Sequence, residues 1–501
     1  MITRLQISGF KNLNEVDLYF GPFTCIAGAN GSGKSNLFDA IRFLSALASD
    51  KNTLMQAAAT VRDNRRAADV RSLFHRVGET RKDRMRFGVE MIVQGTASDD
   101  LGQKADASIT FLRYELELGL RTDPDTEGPS LEILHEALLP IKQSDVASKS
   151  DPKLPFPHSA SKWRSSVIQG ARRRSLFIST TEVELEKPEK NHPVVQRVIQ
   201  RHQDGGNSGK PAPAIAQLLK RTILSSASAE TPTALCARRE MESWLQLQLE
   251  PTALRQPSDF NATPNLLPNG ENLPATLDRI ARSSGDPEAI YAQIANRLSE
   301  LIKDVRSVTV ERDKKLELLT LILTDRDHTS HPARALSDGT LRFLALSVLE
   351  LDPAAHGVLC LEEPENGIHP DRIAKMLHLL RDIAMDVNCP VGPDNPLRQV
   401  IINTHSPLVV GECPDDALVL ARGVQAIAEG RSFEKITFGG ISQTWRERYS
   451  YSPVSRGQLL AYLEPSCLRV GSATAPLSTA HRRIRDRADL MPEQSTFNFS
   501  P

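Results

Sequence analysis

Cysteines are few and unpaired in this chain. Six are scattered over 501 residues (Cys25, Cys236, Cys360, Cys389, Cys413, Cys467), and none stands in a C-x-x-C spacing. That excludes a disulfide framework and the common zinc spacings, and it fits a reducing compartment. Aromatic residues make up only 5%. Net charge is −1, so no global field draws the chain to nucleic acid or to a membrane. No apolar run approaches the roughly 20 residues of a membrane span. The first 20 residues alternate apolar and polar and lack a signal-peptide core. There are no sustained heptads and no internal repeat. The expectation is a soluble cytoplasmic protein with no membrane partner.

What is present is an ordinary globular composition, 40% hydrophobic and 25% charged, in a chain long enough for several domains. Residues 1–28 predict three short strands, the last being the apolar "FTCIAG". "GANGSGKS" comes next, Gly28 to Ser35, and then "SNLFDAIRFLSALA" at helical spacing. The Gly-rich stretch matches the phosphate loop G-x-x-x-x-G-K-[S/T]. Its glycines let backbone N–H groups turn inward around phosphate oxygens. Lys34 neutralises charge on the β- and γ-phosphates, Ser35 offers a hydroxyl to Mg²⁺, and the helix points its positive end at the anion.

Three further motifs stand far downstream. "GVLCLEEPENGIHP" (357–370) ends an apolar strand in two adjacent carboxylates. A phosphate-loop protein needs such a carboxylate for Mg²⁺, which gives Glu362 that role; Glu363 is placed to activate a water. "ALSDGTLRFLAL" (335–346) opens a helix with a Ser, an acid and a Gly. "VIINTHSP" (400–407) ends a strand at Thr404 and His405, where a histidine could donate to a γ-phosphate. Around them the sequence predicts a hairpin over "VRSVTVERD" and "KLELLTLILTD", helices over "ATLDRIARSS", "AIYAQIANRLSELIKDV" and "RIAKMLHLLRDIAMD", and a surface loop over "PIKQSDVASKSDPKLPFPHSASK".

The order phosphate loop, "LSDGT", "LCLEEPENGIHP", "NTHSP" resembles the ABC-type ATPase superfamily, in particular its RecF- and SMC-like branch and the AAA-type-core ATPases near RecF. "ITRLQISGFKNL" and "LEPTALRQPSDF…LPNGENLPATLDRI" share the resemblance. It implies an α/β P-loop head with a mixed sheet flanked by helices, an ATP hydrolase using ATP and Mg²⁺, and an ATP-dependent homodimer. It implies that Gly28, Asn30, Gly31, Gly33, Lys34, Ser35 and Asn36 form the Walker A loop. Ser337 and Gly339 would contact the γ-phosphate held by a second subunit. Glu362 would be the metal carboxylate beside Ser35, Glu363 the catalytic glutamate and His405 the switch histidine. Lys11 is a further basic candidate near the phosphates, and Gln169 a candidate for the glutamine that such sites carry.

Lys34 and Ser337 are 303 positions apart, far more than in a transporter subunit. SMC proteins fill this space with coiled coil, and heptads are missing here. The expected organisation is therefore an N-terminal lobe (1–94), an α+β insertion or lid (95–304), a C-terminal lobe (305–425), an extension (426–470) and a poorly ordered tail (471–501). The metal-dependent TOPRIM nuclease domain of OLD-type relatives is not expected after His405. Two biological readings are open. One is a DNA-repair ATPase clamping duplex DNA through the basic segments 62–86 and 171–175. The other is a regulatory ATPase of an anti-phage or toxin module holding a separately encoded effector, with the insert and residues 442–463 as the partner surface.

Overall fold

The computed structural model describes residues 1–61, 69–122, 128–146, 153–170, 176–185, 194–202, 204, 213–302, 304–428, 431–449 and 453–463. The basic stretch 171–175, residues 62–68 of the other basic segment and the tail beyond 463 lie outside the described residues.

Two sheets form the frame. The first contains five parallel strands and one antiparallel edge. We number its strands by chain position: β1 Phe23–Ala27, β2 Leu245–Leu247, β3 Gly357–Glu362, β4 Arg398–Thr404, β5 Leu418–Ala428 and β6 Arg431–Gly440. Their spatial order is β2-β3-β4-β1-β5-β6, with β5 and β6 paired antiparallel. β1 and β4 are buried at every residue, and β3 at all but its last. Continuous apolar runs of this kind belong to parallel strands covered on both faces. Register sets where the strands end: Glu362 lies opposite Asn403, and Thr404 opposite Ala27. All three strands therefore finish at one edge, the usual position of ligands in open α/β sheets.

Helix α1 (Lys34–Ala48) fills the space between this sheet and the second one. It is apolar on nearly every side, as a helix between two layers must be. The second sheet is antiparallel and eight-stranded, and includes Ile2–Ser8, Val16–Tyr19, Arg84–Ile92, Phe111–Thr122 and Pro129–Pro140. On the other face of the parallel sheet lie α2 (Asp338–Leu351) and α3 (Ile373–Ile383), with helices Leu273–Ser283 and Pro287–Ser299 outside them.

The expected insertion over 95–304 is not one body. Its first part, 111–140, extends the sheet begun by residues 2–8 and 84–92, with Gly88 opposite Glu115. Its last part supplies β2, which pairs with β3 inside the core sheet. The reason is burial: alternating strands such as Pro129–Pro140 have an apolar face that needs a layer to cover it. One other reading also changes. The polar linker buries Phe156 beside Trp163, Met1 and Phe111. Arg446 anchors the segment 442–463, its guanidinium donating to the carbonyls of Asp416 and Tyr19 and to Thr24 Oγ1. The hairpin Val305–Asp313/Leu318–Asp325 forms as its alternation predicts.

Arg398 opens β4 with a fully enclosed guanidinium, 2% exposed. It donates to the carbonyls of Leu349, Asp352 and Ala355 at 2.8, 2.6 and 2.7 Å. These carbonyls lie at the end of α2 and in the turn after it, so a cation caps that helix and fastens it to the sheet. Replacing Arg398 by Met would remove the guanidinium's bonds to those carbonyls in a buried setting. It should destabilise the fold by roughly 3 kcal/mol, read as a lower urea midpoint.

Glu136 is fully buried and accepts the N–H groups of Ile223 and Leu224, each at 2.8 Å, and the Tyr114 hydroxyl at 3.1 Å. Burial pushes its carboxyl up from 4.5 to about 7, against the pull of those donors. Between these values the folded state holds a proton that the unfolded chain has released. This contribution to stability is complete below the unfolded value and is lost as pH rises through about 7. The melting temperature should fall from pH 5 to pH 8 more steeply in the wild type than in Glu136→Gln; equal slopes would refute the assignment.

Candidate nucleotide site

The loop between β1 and α1 is shaped by its glycines. Gly31 and Gly33 both have φ of +83°, which side-chain-bearing residues rarely adopt. A Cβ on Gly28 would stand 2.5 Å from the Ala421 carbonyl. Gly33 caps α1 with no side-chain bond, and no acidic residue stands in the first turn. The N–H groups of that turn remain directed at the loop, as an anion site requires.

Lys34 folds over the loop and donates to the carbonyls of Gly28 and Ala29 at 2.6 and 2.8 Å. Burial lowers its pKa, while the carboxylates of Glu363, Glu365 and Glu362 pull the other way. Ser35 and Asn36 are half-buried in the first turn, while Asn30 and Gly31 are exposed at the apex. Asn36 donates to Asn12 at 2.7 Å. Neighbouring Lys11 is engaged by Asp39 of α1 at 2.8 Å.

Glu362 ends β3 and accepts Gln246 Nε2 at 2.9 Å. Gln246 belongs to β2, so the glutamine beside the metal-type carboxylate comes from the sheet edge. Gln169, the candidate suggested by sequence, lies elsewhere: its N–H donates to Thr110 and its amide to Ser166. Ser166 in turn bonds Val391, in the loop that enters β4. Gln169 therefore sits by the starts of the parallel strands, at the opposite edge from the phosphate loop. The cue for Gln246 was available only as "LQLQLE", a short alternating run with no motif of its own.

Glu363 has a left-handed backbone, φ +45°, held by two acceptors on one neighbour. Its N–H donates to the Asn403 carbonyl at 3.0 Å and to Asn403 Oδ1 at 3.1 Å. Its carboxylate accepts Asn366 Nδ2 at 2.9 Å and His405 Nδ1 at 2.7 Å. Burial opposes its ionisation. The hydrogen bonds from Asn366 and His405 and the charges of His405 and Lys34 outweigh burial, so the carboxyl titrates below the ordinary range. With Nδ1 donating to the carboxylate, Nε2 is the histidine atom left to meet another group.

The signature turn is a separate station. Ser337 caps α2 by accepting the N–H of Thr340 at 3.3 Å. Ser337 and Asp338 are exposed, whereas Gly339 is buried, and a Cβ there would stand 2.6 Å from the Gly367 carbonyl. The segment after β2 ties this turn down. Arg255 bonds the Leu336 carbonyl and pairs with Asp338. Arg342 of α2 donates to the carbonyls of Leu249 and Asn366. A cavity of about 320 Å³ between them is lined by Gln248, Arg342, Glu362, Glu363 and Asn366. The larger cleft, about 850 Å³, lies beside Met385–Asn395 and Trp445 and contains none of these groups.

This arrangement is a P-loop ATPase head of the ABC type. Residues 23–411 match the family described as "AAA domain, putative AbiEii toxin, Type IV TA system", and the chain belongs to that family. A DNA replication and repair protein RecF from Phocaeicola vulgatus is 40% identical over 55 residues, 11% of this chain and 15% of that protein. An OLD nuclease from Thermus scotoductus is 46% identical over 41 residues, 8% of each chain. The chain thus spans a small part of the curated relatives it matches. Among solved structures, an SMC head bound to the C-winged helix domain of ScpA covers 88% of this chain and 99% of its own, at 13% identity and TM-score 0.42. The SMC head domain from Thermotoga maritima covers 86% and 97%, at 11% identity and TM-score 0.34. Among the described residues no helix is long and apolar enough to cross a membrane.

Because Arg255 links the β2 segment to the signature turn, Arg255→Ala should lower ATP turnover by about tenfold while leaving nucleotide affinity within about threefold. Parallel assays of steady-state hydrolysis and fluorescent-nucleotide binding check this.

Proposed function

We propose that this protein binds and hydrolyses ATP, and that the cycle opens and closes a homodimer acting on DNA. The observation that carries the reading is the convergence at one sheet edge of Lys34, Glu362, Glu363 and His405, with His405 bonded to Glu363 at 2.7 Å. The loop N–H groups and Lys34 bind the phosphates. Ser35 and Glu362 are hard oxygen donors that suit Mg²⁺, which when bound neutralises charge developing on the phosphates. Glu363, kept ionised, accepts a proton from the attacking water, and His405 orients it and offers Nε2 toward the γ-phosphate. The exposed Ser337 and Asp338 fit a surface that completes the site of a second copy, so closure would need nucleotide in both heads.

DNA is the partner suggested by the match to a DNA replication and repair protein. The described part of the basic segment gives this limited support, since Arg84 and Arg86 are paired with Glu117. The family description favours a second reading, in which the switch holds a separately encoded effector of a toxin or anti-phage module.

Glu363→Gln should retain ATP and lose hydrolysis. Light scattering on that variant should show the mass doubling with ATP and Mg²⁺ and not without them. An unchanged mass would sink the dimer switch. Lys34→Ala should weaken ATP binding by about a hundredfold or more, read by fluorescent-nucleotide titration.

A further inference from the structure

Three successive residues at the end of β4 each bond the turn after β3. Asn403 receives the Glu363 N–H on both its carbonyl and its amide oxygen. His405 bonds the Glu363 carboxylate. Between them, the hydroxyl of Thr404 donates to Glu365 Oε1. Thr404 is fully buried and Glu365 is 8% exposed. The Thr404 hydroxyl also accepts the N–H of Ser406 at 2.9 Å, and its carbonyl accepts the N–H of Gly28 at 3.3 Å. One residue thus touches the phosphate loop, the acidic turn and the turn carrying His405.

Glu365 is expensive where it stands. Its second oxygen, Oε2, is buried with no hydrogen-bond partner among the described residues. Nothing in the strand pairing demands a carboxylate there. Its effect on Thr404 is directional. A hydroxyl has one hydrogen, and a carboxylate acceptor fixes where it points. With the hydrogen committed to Glu365, the lone pairs of Thr404 face the Ser406 N–H and close the turn around His405. The imidazole needs this help, because its side chain is 45% exposed and its own bond in the site is the one to Glu363. Catalytic groups lose rate steeply when displaced by about 1 Å.

We propose that Glu365 is a positioning residue: acting through the Thr404 hydroxyl, it holds the 404–406 turn so that His405 is aimed at Glu363 and the phosphates. This deepens the ATPase reading and rests on it. The substrate meets His405 and Glu363; Glu365 acts one bond behind them.

The test uses the full chain and five forms: wild type, Glu363→Gln, Thr404→Val, Thr404→Ser and Glu365→Ala. Steady-state ATP hydrolysis, binding of a fluorescent ATP analogue and thermal melts are measured on each. Thr404→Val keeps the shape and removes the hydroxyl, so it should fold, bind nucleotide within about threefold of wild type and lose at least about tenfold in kcat. Thr404→Ser keeps both hydrogen bonds and should recover kcat to within about threefold. Glu365→Ala should behave like Thr404→Val. A folded Thr404→Val with wild-type kcat, a loss confined to KM, or a Thr404→Ser no better than valine would overturn the proposal. Wild type hydrolysing no faster than Glu363→Gln would remove the ATPase reading and the positioning role together. That result is distinct from loss in the Thr404 variants alone.

Discussion

The register of β4 against its two neighbours is the constraint on which the site depends. β4 pairs with β3 on one side and β1 on the other, and all three run the same way. A shift of one residue would turn Thr404 from Ala27 and carry His405 away from Glu363. Burial of every β4 side chain makes such a slip costly. Phosphate loop, acid pair and histidine are separated by long stretches of sequence. They meet because parallel strands of fixed register end together.

From that edge the structure is wired outward through charged and polar side chains. Gln246 joins β2 to Glu362, Arg342 joins α2 to the turns after β2 and β3, and Arg255 pins Asp338. Close backbone contact does the rest: Gly339 lies against the Gly367 carbonyl, where any side chain would collide. The start of α2 therefore rests directly on the turn beyond Glu363. The far end of α2 is held by Arg398, which opens the strand that closes in Thr404 and His405. Signature helix and histidine strand are attached at both ends, so displacement of one has a physical route to the other.

Much of this was legible in the chain. The phosphate loop was recognisable because its chemistry tolerates few residue types. β1, β3 and β4 were recognisable as apolar runs, the last two ending in polar groups. Helices and hairpin in the second half obeyed their periodicity. What failed were assignments that needed partners. The stretch 95–304 read as an insertion because its strands pair with residues far away in sequence. Phe156 read as loop because the layer covering it is formed by distant segments. Gln169 was the candidate the sequence offered, and Gln246 went unnoticed because a glutamine has no local signature; its role depends on which strand lies beside β3.

By itself the sequence determined the class of chemistry: a glycine loop with a lysine, two carboxylates ending a strand, a capped polar turn and a histidine. Tertiary structure decided how those groups are held. That Glu363 is bonded by His405 and Asn366, that Thr404 ties three segments together, and that Glu365 is buried with one oxygen unpaired are consequences of strand pairing and turn geometry. Hydrogen bonds between residues some forty positions apart are set by register and φ, and neither is written in local composition.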